Sequence, residues 1–276
     1  MRLATVRLGQ RTTAVRIEDD VAFEIDVPDV GMLLRDPDWR NRAETTVGPQ
    51  HSLEGLDFAP LIPSPEKIIC VGLNYRGHIA EMGVPVPEFP TLFAKYRRAL
   101  VGATDDIVLP RSSSRMDWEA ELAVVIGSPV RHASDGDARR AVAGYAVTND
   151  VTARDWQVRT AQWLQGKTFE ASTPLGPVLV TADEVGDPSK LEVTCDVDGE
   201  TVQRASVSEL VFDAEDLVRY ISEVVTLVPG DVISTGTPSG VGQARNPPRF
   251  LADGNVVTTA ITGLGECRNH CRLESW

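Results

Sequence analysis

Hydrophobic residues along the chain fall into short runs that predict strands far more often than helices. Runs such as ELAVVIG, GYAVTND, LEVTCDVDGE and VVTTAITGLG are rich in β-branched residues and are bounded by turn residues. The clearest helical pattern extends from Asp213 to Leu227 and is stopped by the sequence VPGD. Because helices do not alternate regularly with strands, the pattern disfavours a doubly wound sheet and predicts a strand-rich α+β fold.

Prolines divide the chain into two predicted parts. The stretch FAPLIPSPEK, residues 58–67, contains three prolines and is typical of a connection between domains. Alternating runs before it predict a small β-rich domain over residues 1–62, and we expect a catalytic domain over residues 63–276. A second proline-broken stretch, HIAEMGVPVPEFPTLFAK at residues 78–95, predicts a mobile flap.

Composition narrows the classes of partner. The chain has 27 basic and 40 acidic residues, a net charge of −13, which disfavours nucleic acids and anionic membranes. Residues 1–15 lack the apolar core of a signal peptide and no run approaches membrane-spanning length, so we expect a cytoplasmic protein without a membrane partner. Cys70 and Cys195 lie in apolar, strand-like contexts typical of buried free thiols, and the pair in CRNHC lacks the second ligand pair of a zinc site.

The sequence MDWEAELAVVIG, residues 116–127, places three carboxylates on one face of a predicted strand. Asp117, Glu119 and Glu121 alternate with apolar residues, and neighbouring same-face carboxylates lie roughly 6–7 Å apart and repel each other. One explanation is a strand end that emerges into solvent. The other is a divalent cation held by Glu119 and Glu121, for which oxygen ligands favour Mg²⁺, Mn²⁺ or Ca²⁺ over zinc.

Two further stretches offer groups that suit such a site. Asp150, at the end of the run GYAVTND, can supply a third carboxylate, and Lys167 would bring three carboxylates and a divalent ion to neutrality. Arg154 and Gln157 are three residues apart and would share a helical face. An arginine suits a bidentate contact with a substrate carboxylate, although Arg154 taken alone also fits a surface ion pair.

His78 and Glu81 are also three residues apart, so the carboxylate can orient the imidazole as a general base toward water. The other three histidines lie in polar, loop-like contexts and are interpreted as incidental. STGTPSGVG, residues 234–242, lacks the Gly-Lys-Ser/Thr of a phosphate loop. It can instead present Thr235, Thr237 and backbone N–H groups to a carboxylate or enolate oxygen.

Together, these motifs closely resemble the fumarylacetoacetate hydrolase family. GLNY…HIAE, DWEAELAVVIG, GYAVTNDVTARDWQ, GKTFEASTPLGP, TLVPGDVISTGTPSGVG and GLGECRN match it in order, spacing and type from about Lys67 to Asn269. The resemblance implies layered, mixed β-sheets with few helices and usually a homodimer. The first 60 or so residues resemble the variable small N-terminal domain of bacterial members.

The resemblance also implies a role for each candidate residue. Mg²⁺ or Mn²⁺ would be the bound metal, with Ca²⁺ as a non-native occupant. The implied metal ligands are Glu119, Glu121 and Asp150, the implied catalytic residues are His78, Glu81 and Lys167, and the implied substrate-binding residues are Tyr75, Arg154, Gln157 and Thr237. His78 and Glu81 would lie on a lid that orders over the substrate.

Two departures from the family pattern are visible. Asn74 stands where animal fumarylacetoacetases have a further metal-binding aspartate, which aligns the chain with the smaller acylpyruvase-like branch. Glu170 replaces a common aspartate, and the following Ala171-Ser172 replaces a bulkier pair, so we expect the pocket beside Lys167 to differ.

The favoured hypothesis is hydrolysis of a carbon–carbon bond in a 2,4-dioxo acid, an acylpyruvate such as fumarylpyruvate, with a pyruvate enolate as leaving group. The dyad of His78 and Glu81 would deprotonate the attacking water, and Lys167 and the metal would stabilise the enolate. Decarboxylation of oxaloacetate and isomerisation of a dienedioate in aromatic catabolism are alternatives on the same site. A metal-binding assembly protein without activity is a remote alternative, because no metal or dyad residue is missing.

Overall fold

Three β-sheets form the framework of the structure, a computed structural model that describes residues 1–275. In chain order, the strands are β1 (Arg2–Leu8), β2 (Arg11–Glu18), β3 (Val21–Ile25), β4 (Gln50–Ser52), β5 (Asp57–Phe58), β6 (Ile68–Gly72), β7 (Thr91–Lys95), β8 (Leu100–Val101), β9 (Ile107–Leu109), β10 (Met116–Asp117), β11 (Ala120–Ile126), β12 (Val142–Asn149), β13 (Thr152–Ala153), β14 (Thr173–Thr181), β15 (Glu192–Val197), β16 (Glu200–Ser206), β17 (Val232–Ser234), β18 (Val256–Ile261) and β19 (Gly265–Leu273). The α-helices are α1 (Val30–Leu34), α2 (Trp39–Thr45), α3 (Arg76–Met82), α4 (Asp135–Ala141), α5 (Arg154–Gln157), α6 (Leu164–Lys167), α7 (Ala182–Val185) and α8 (Ala214–Val224). The predicted strand-rich α+β fold is confirmed.

The sheets are mixed in direction and stacked in layers. The large sheet has the order β4-β3-β2-β1-β14-β12-β11-β17-β6-β7, with β5 paired to β1 and β8 paired to β14. Its strand β11 is antiparallel to β12 and β17, whereas β17 and β6 run parallel. The five-stranded sheet, β16-β15-β18-β19-β9, packs on the middle of the large sheet through contacts of β15, β18 and β19 with β11, β12 and β14. A third sheet pairs β10 with β13.

Strand β11 is buried on both faces, as its uninterrupted apolar run predicts. Leu122, Val124 and Ile126 point into the core between the large sheet and the five-stranded sheet. Ala123 and Val125 point the other way, into a second core that α1 and α2 cover. Alternation of side chains across a strand therefore supplies both cores from one segment, and it fixes the direction in which the preceding carboxylates point.

Helix α8 confirms the helical prediction with a shorter C-terminal end. Asp213 caps the helix, because its side chain accepts from the N–H of Asp216 while the Asp216 carboxylate accepts from the N–H of Asp213. The helix ends at Val224, and Leu227 instead forms an isolated β-bridge with Val130. The predicted extension to Leu227 is wrong because those residues pair with a neighbouring segment.

The first 62 residues are β-rich, as predicted, but their strands continue the large sheet. Strand β1 pairs with β14, at Arg2 with Val180 and Leu3 with Leu179. The proline-rich stretch 58–67 lies almost entirely outside regular elements and leads into β6. The division into domains 1–62 and 63–276 therefore stays a prediction, and its last residue, Trp276, lies outside the described residues.

Cys70 and Cys195 are buried free thiols, as expected, and Cys267 and Cys271 are buried and free as well. The last two lie on β19 with His270 between them, so alternation turns the imidazole to the opposite face. The CRNHC stretch therefore does not bring these three groups together as metal ligands. Within residues 1–275, no helix has the length and apolarity needed to cross a membrane.

Candidate active site

Three buried carboxylates meet where strands β11 and β12 lie side by side. Glu119, Glu121 and Asp150 each offer an oxygen atom, and these atoms all lie within 4.8 Å of one another. Because β11 and β12 are antiparallel with Ala120 opposite Asn149, the start of one strand lies beside the end of the other. Backbone bonds fix this junction: the Asp150 N–H donates to the Glu119 carbonyl at 2.8 Å. The explanation by a solvated strand end is therefore wrong.

Two lysines balance part of this charge. Lys167 Nζ donates to Glu119 Oε2 at 2.7 Å and to Asp150 Oδ2 at 2.8 Å, and its side chain is 2% exposed. Lys95 Nζ donates to Asp150 Oδ1 at 2.5 Å and to the Val151 carbonyl at 3.2 Å. Sequence reasoning missed Lys95, although a lone charge that ends the apolar run TLFAK was a usable signal.

Glu121 differs from its neighbours because it is held by uncharged donors. Ser234 Oγ donates to Glu121 Oε2 at 2.5 Å, and the Gly236 N–H donates to the same oxygen at 2.8 Å. Burial, together with the charges of Asp150 and Glu119, raises the pKa of Glu121 well above its usual range. For Glu119, burial acts in the same direction, but Lys167 and Arg154 outweigh it and lower the pKa to about 2.

Asp117, the remaining carboxylate of the MDWEAELAVVIG run, is bound by a different set of donors from those that bind Glu119 and Glu121. It accepts hydrogen bonds from Arg154 Nε at 2.7 Å and from the N–H groups of Gly242 and Gln243 at 2.7 and 3.0 Å. Arg154 also pairs through Nη1 with Glu119 at 2.6 Å, while its Nη2 is buried without a hydrogen-bond partner in the described part of the chain. The surface ion-pair interpretation of Arg154 is therefore wrong, and one of its N–H groups stays available.

Charges can now be counted for the cluster formed by these groups. The four carboxylates are those of Asp117, Glu119, Glu121 and Asp150, and the three cations are Lys95, Lys167 and Arg154. Fully ionised, the cluster carries one net negative charge, and a divalent cation would make it positive by one. The count made from sequence left out Asp117, Lys95 and Arg154. Both the uncompensated Glu121 and the all-oxygen donor set fit Mg²⁺ or Mn²⁺.

His78 and Glu81 form the expected pair on α3. His78 Nδ1 lies 2.8 Å from Glu81 Oε2, and Glu81 Oε1 accepts from the Gly240 N–H at 2.9 Å. The second bond ties the dyad to the glycine-rich stretch 234–242. With Nδ1 donating to the carboxylate, Nε2 is left as the basic nitrogen.

The glycine-rich stretch acts mainly as a brace. Thr235 Oγ1 donates to the Leu122 carbonyl at 2.9 Å, and Thr237 Oγ1 donates to the Ala120 carbonyl at 3.0 Å while accepting from Gln203 Nε2. Gly236 adopts φ = +103°, a conformation suited to glycine, and its N–H meets Glu121. The threonine hydroxyls therefore donate to backbone carbonyls, and the stretch positions a carboxylate.

A cavity of about 380 Å³ opens onto this cluster. Most of the predicted site residues line it, namely His78, Glu119, Arg154, Gln157, Lys167 and Thr237. Apolar residues near its mouth include Met82, Val84, Val158 and Trp163. Tyr75 does not line it: its side chain is fully buried in the core, and its hydroxyl has no hydrogen-bond partner among the described residues. The expected substrate contact of Tyr75 therefore stays a prediction, and a substrate in this cavity would reach Tyr75 only if the core around it opened.

Comparison with known proteins identifies the family. The family model described as fumarylacetoacetate (FAA) hydrolase C-terminal matches residues 67–272, about three quarters of the chain. The chain belongs to the fumarylacetoacetate hydrolase family. The matched range leaves β1–β5 outside, and the carboxylates, both lysines and the dyad all lie inside it.

Relatives within this family differ in their named activities. The human mitochondrial oxaloacetate tautomerase FAHD2A is 50% identical over 212 residues, which cover 76% of this chain and 68% of the relative. A 5-carboxymethyl-2-hydroxymuconate delta-isomerase from Mycobacterium smegmatis is 34% identical with a TM-score of 0.84, over 99% of this chain and 100% of the other. The maleylpyruvate hydrolase from Sphingobium sp. SYK-6, solved with manganese(II) and pyruvate, is 29% identical with a TM-score of 0.83 over the full length of both chains.

The two departures from the family pattern have structural consequences. Asn74 is buried and braces two loops, because its Nδ2 donates to the carbonyls of Phe212 and Thr235 at 2.9 and 2.7 Å. Glu170 lies at the surface, 3.5 Å from Arg98 Nε. Neither residue belongs to the carboxylate cluster, so the departures leave the candidate metal ligands intact.

Proposed function

We propose that the protein catalyses keto–enol tautomerisation of a small 2-oxo acid, with oxaloacetate as the substrate that the site and the relatives favour most. The observation that carries the proposal is the meeting of two proton-transfer groups, the His78–Glu81 pair and Lys167, in one cavity beside three buried carboxylates. Several relatives that are 46–50% identical are named oxaloacetate tautomerases. Fully ionised and loaded with a divalent ion, the cluster would be positive, as an anionic substrate requires.

The candidate metal ligands are Glu119, Glu121 and Asp150. A bound Mg²⁺ or Mn²⁺ would polarise the 2-oxo group and raise the acidity of the adjacent carbon, a contribution worth several kcal/mol in other enzymes. The chain's own groups then carry the protons. His78 Nε2 accepts a proton from C3 of the keto form, and Glu81 holds the imidazole in the tautomer that leaves Nε2 free.

Lys167 supplies the proton at the other end of the reaction. Two of its three N–H groups are engaged by Glu119 and Asp150, and the third is free to donate to the 2-oxo oxygen. Burial lowers the pKa of Lys167, but Asp150 and Glu119 outweigh this effect and raise it, so the lysine is charged before the reaction. Protonation of the oxygen yields the enol, and exchange with solvent resets His78 and Lys167. Arg154 Nη2 is available to hold the 1-carboxylate.

A second candidate function is hydrolysis of an acylpyruvate, our favoured hypothesis from sequence. The apolar residues Met82, Val84 and Val158 at the cavity mouth would accommodate an acyl extension that oxaloacetate lacks. The maleylpyruvate hydrolase shares the fold over its full length. Decarboxylation and dienedioate isomerisation would use the same enolate, so the four reactions have to be compared side by side.

The test follows loss of the ultraviolet absorbance of enol-oxaloacetate with purified protein, with and without Mg²⁺ or Mn²⁺, against the same metal without protein. Parallel assays offer an acylpyruvate and a dienedioate and measure CO₂ release from oxaloacetate. We expect metal-dependent enol decay to be the fastest activity and to fall about 10²–10⁴-fold in His78→Ala. His132→Ala is the matched control, because His132 forms a similar pair with Glu223 at the surface. Enol decay no faster than with the metal alone would overturn the proposal, and faster pyruvate release from the acylpyruvate would favour the hydrolase.

A dimer, a cytoplasmic location and the absence of nucleic-acid partners stay predictions. The named mitochondrial location of several relatives belongs to those proteins.

A further inference from the structure

One cation of the cavity has no assigned task. Arg115, Arg154 and Lys167 all line the cavity, and the last two are buried and paired with carboxylates. Arg115 is exposed, and within residues 1–275 its guanidinium forms no salt bridge or hydrogen bond with the protein. In a chain of net charge −13, a guanidinium left without a carboxylate at the mouth of the cavity is suited to an incoming anion.

The backbone of Arg115 is held next to the reacting groups. Its carbonyl accepts from the Arg154 N–H at 2.9 Å, and its own N–H donates to Ser113 Oγ at 3.2 Å. Arg115 is followed directly by β10 and stands four residues before Glu119, so their Cα atoms lie at most roughly 14 Å apart. The side chains of Arg115 and Glu119 line the same cavity, so their polar ends can lie closer together than their Cα atoms. A small dicarboxylic acid can bridge such a separation.

A neighbouring amide is also unsatisfied. Gln243 lines the cavity, its N–H donates to Asp117 Oδ2 at 3.0 Å, and its Oε1 is buried with no hydrogen-bond partner among residues 1–275. A buried amide oxygen without a partner is costly, and rotation of the amide would offer its NH₂ group in that position. Val84 and Val158, by contrast, line the cavity with apolar side chains that have no donors to offer.

We propose that Arg115, assisted by the Gln243 amide, binds the second carboxylate of a dicarboxylic 2-oxo acid and makes the site selective against monocarboxylic 2-oxo acids. The inference deepens the proposed function, and it rests on it only in placing the 2-oxo acid end over the carboxylate cluster. Arg115 is then a specificity-determining residue that contacts the substrate without taking part in proton transfer.

The test measures ligand binding to the Mn²⁺-loaded protein by calorimetry, with oxomalonate as the dicarboxylic probe and pyruvate as the monocarboxylic one. Arg115→Gln removes the charge while keeping a polar side chain, Arg115→Lys keeps the charge, and Arg111→Gln is the matched control from the same loop outside the cavity lining. We expect Arg115→Gln to weaken oxomalonate binding roughly 10–100-fold, the worth of one charge-assisted hydrogen bond, and to leave pyruvate binding unchanged. Arg115→Lys should lie between, and Arg111→Gln should match the unmodified protein.

Equal weakening of both probes, or of neither, would overturn the inference. Michaelis constants separate it from the proposed function. If the unmodified protein lacks tautomerase activity but discriminates the probes through Arg115, the proposed function falls and the carboxylate site stands. If the protein is an active tautomerase and Arg115→Gln leaves its KM for oxaloacetate unchanged, the inference falls and the function stands.

Discussion

The cavity has a floor, formed by the carboxylate cluster with its lysines, and a mouth, lined by Arg115 and exposed apolar side chains. These two regions differ in how completely their polar groups are paired. On the floor, Glu119, Asp150 and Lys167 are buried and joined by bonds of 2.7–2.8 Å. At the mouth, Val158 is 76% exposed, and the exposed guanidinium of Arg115 lies over the Phe250 ring without a salt bridge or hydrogen bond to residues 1–275. A fixed floor suits the chemistry that related enzymes share, because proton transfer needs positioned groups. An open mouth suits the choice among substrates that differ at their distal end.

The floor itself contains one weak point. Glu121 faces two other carboxylates and is held only by Ser234 and a backbone N–H, whereas Glu119 and Asp150 each contact a lysine. Without a metal ion, the cluster therefore lacks a positive charge beside Glu121. We expect the largest effects from substitutions that change the charge at this position.

Glu121→Gln should abolish Mn²⁺ binding and reduce metal-dependent activity on the order of 10³-fold, the equivalent of several kcal/mol of lost metal contribution. The same substitution should stabilise the metal-free protein at neutral pH, because it removes one of three repelling buried carboxylates. A Mn²⁺ titration and thermal unfolding with and without metal measure both effects. Glu223→Gln, at an exposed carboxylate, is the control. Unchanged Mn²⁺ affinity in Glu121→Gln would remove this residue from the metal site.

The pH dependence of the metal-free protein sharpens the same point. The pKa of Glu121 is raised above the ordinary 4.5, so the folded protein holds this proton more tightly than the unfolded chain does. The resulting stability is fully present below about pH 4.3 and is lost as pH rises through the higher folded pKa. We expect the unfolding temperature of Glu121→Gln to decline less with rising pH than that of the unmodified protein. Parallel curves for the two proteins would contradict this.

Lys95→Met tests whether the buried ion pair between Lys95 and Asp150, which lies behind the cavity lining, stabilises the fold. Removing one partner of a buried ion pair typically costs about 3–5 kcal/mol, and Lys95 is 1% exposed and bonded to Asp150. We expect a loss of that size in the free energy of unfolding, measured in denaturant. Lys190→Met, at a side chain that is 79% exposed, should leave stability within about 0.5 kcal/mol. A stable Lys95→Met protein would mean that Lys167 alone neutralises Asp150.

The residues on the floor of the cavity were easier to predict from the sequence than those at its mouth. The carboxylates lie at strand ends, and alternation plus strand pairing bring them together, so Glu119, Glu121 and Asp150 could be grouped from the sequence. The TLFAK pattern marks Lys95 as a lone charge, but it does not name Asp150 as its partner, because Lys95 reaches Asp150 from β7, an edge strand four positions from β12 in the large sheet. Contacts between elements distant in sequence leave no local periodicity to detect.

At the mouth, local patterns gave less. Tyr75 lies in a motif that resembles a family site, yet the start of α3 turns its side chain into the core. Arg115 stands in a loop and Gln243 in a three-residue 3-10 helix, both without hydrophobic alternation, so nothing in the sequence separates them from ordinary surface residues. The continuous large sheet was missed for a related reason, since the pairing of β1 with β14 joins segments about 180 residues apart.

Glu81→Gln probes the positioning of the dyad between floor and mouth. The amide keeps a hydrogen bond to His78 but loses the negative charge that helps to orient the imidazole ring. We expect kcat to fall roughly 10-fold, less than in His78→Ala, and steady-state kinetics measure both variants. A kcat equal to that of the unmodified protein would show that the charge of Glu81 contributes nothing to catalysis.

Val158→Ser addresses the mouth directly and should have the smallest effect. The side chain is largely exposed, so its replacement should change the free energy of unfolding by less than about 0.5 kcal/mol. In the proposed binding mode oxaloacetate contacts Arg115 at the mouth and not the apolar side chains, so its KM should stay within about threefold. An acylpyruvate with a longer apolar tail should bind more weakly, because each methylene buried is worth about 0.8 kcal/mol. Steady-state kinetics with both substrates separate these outcomes. A larger KM change for oxaloacetate than for the longer acid would place oxaloacetate against the apolar side chains, and the proposed selection of substrates at the mouth would then be wrong.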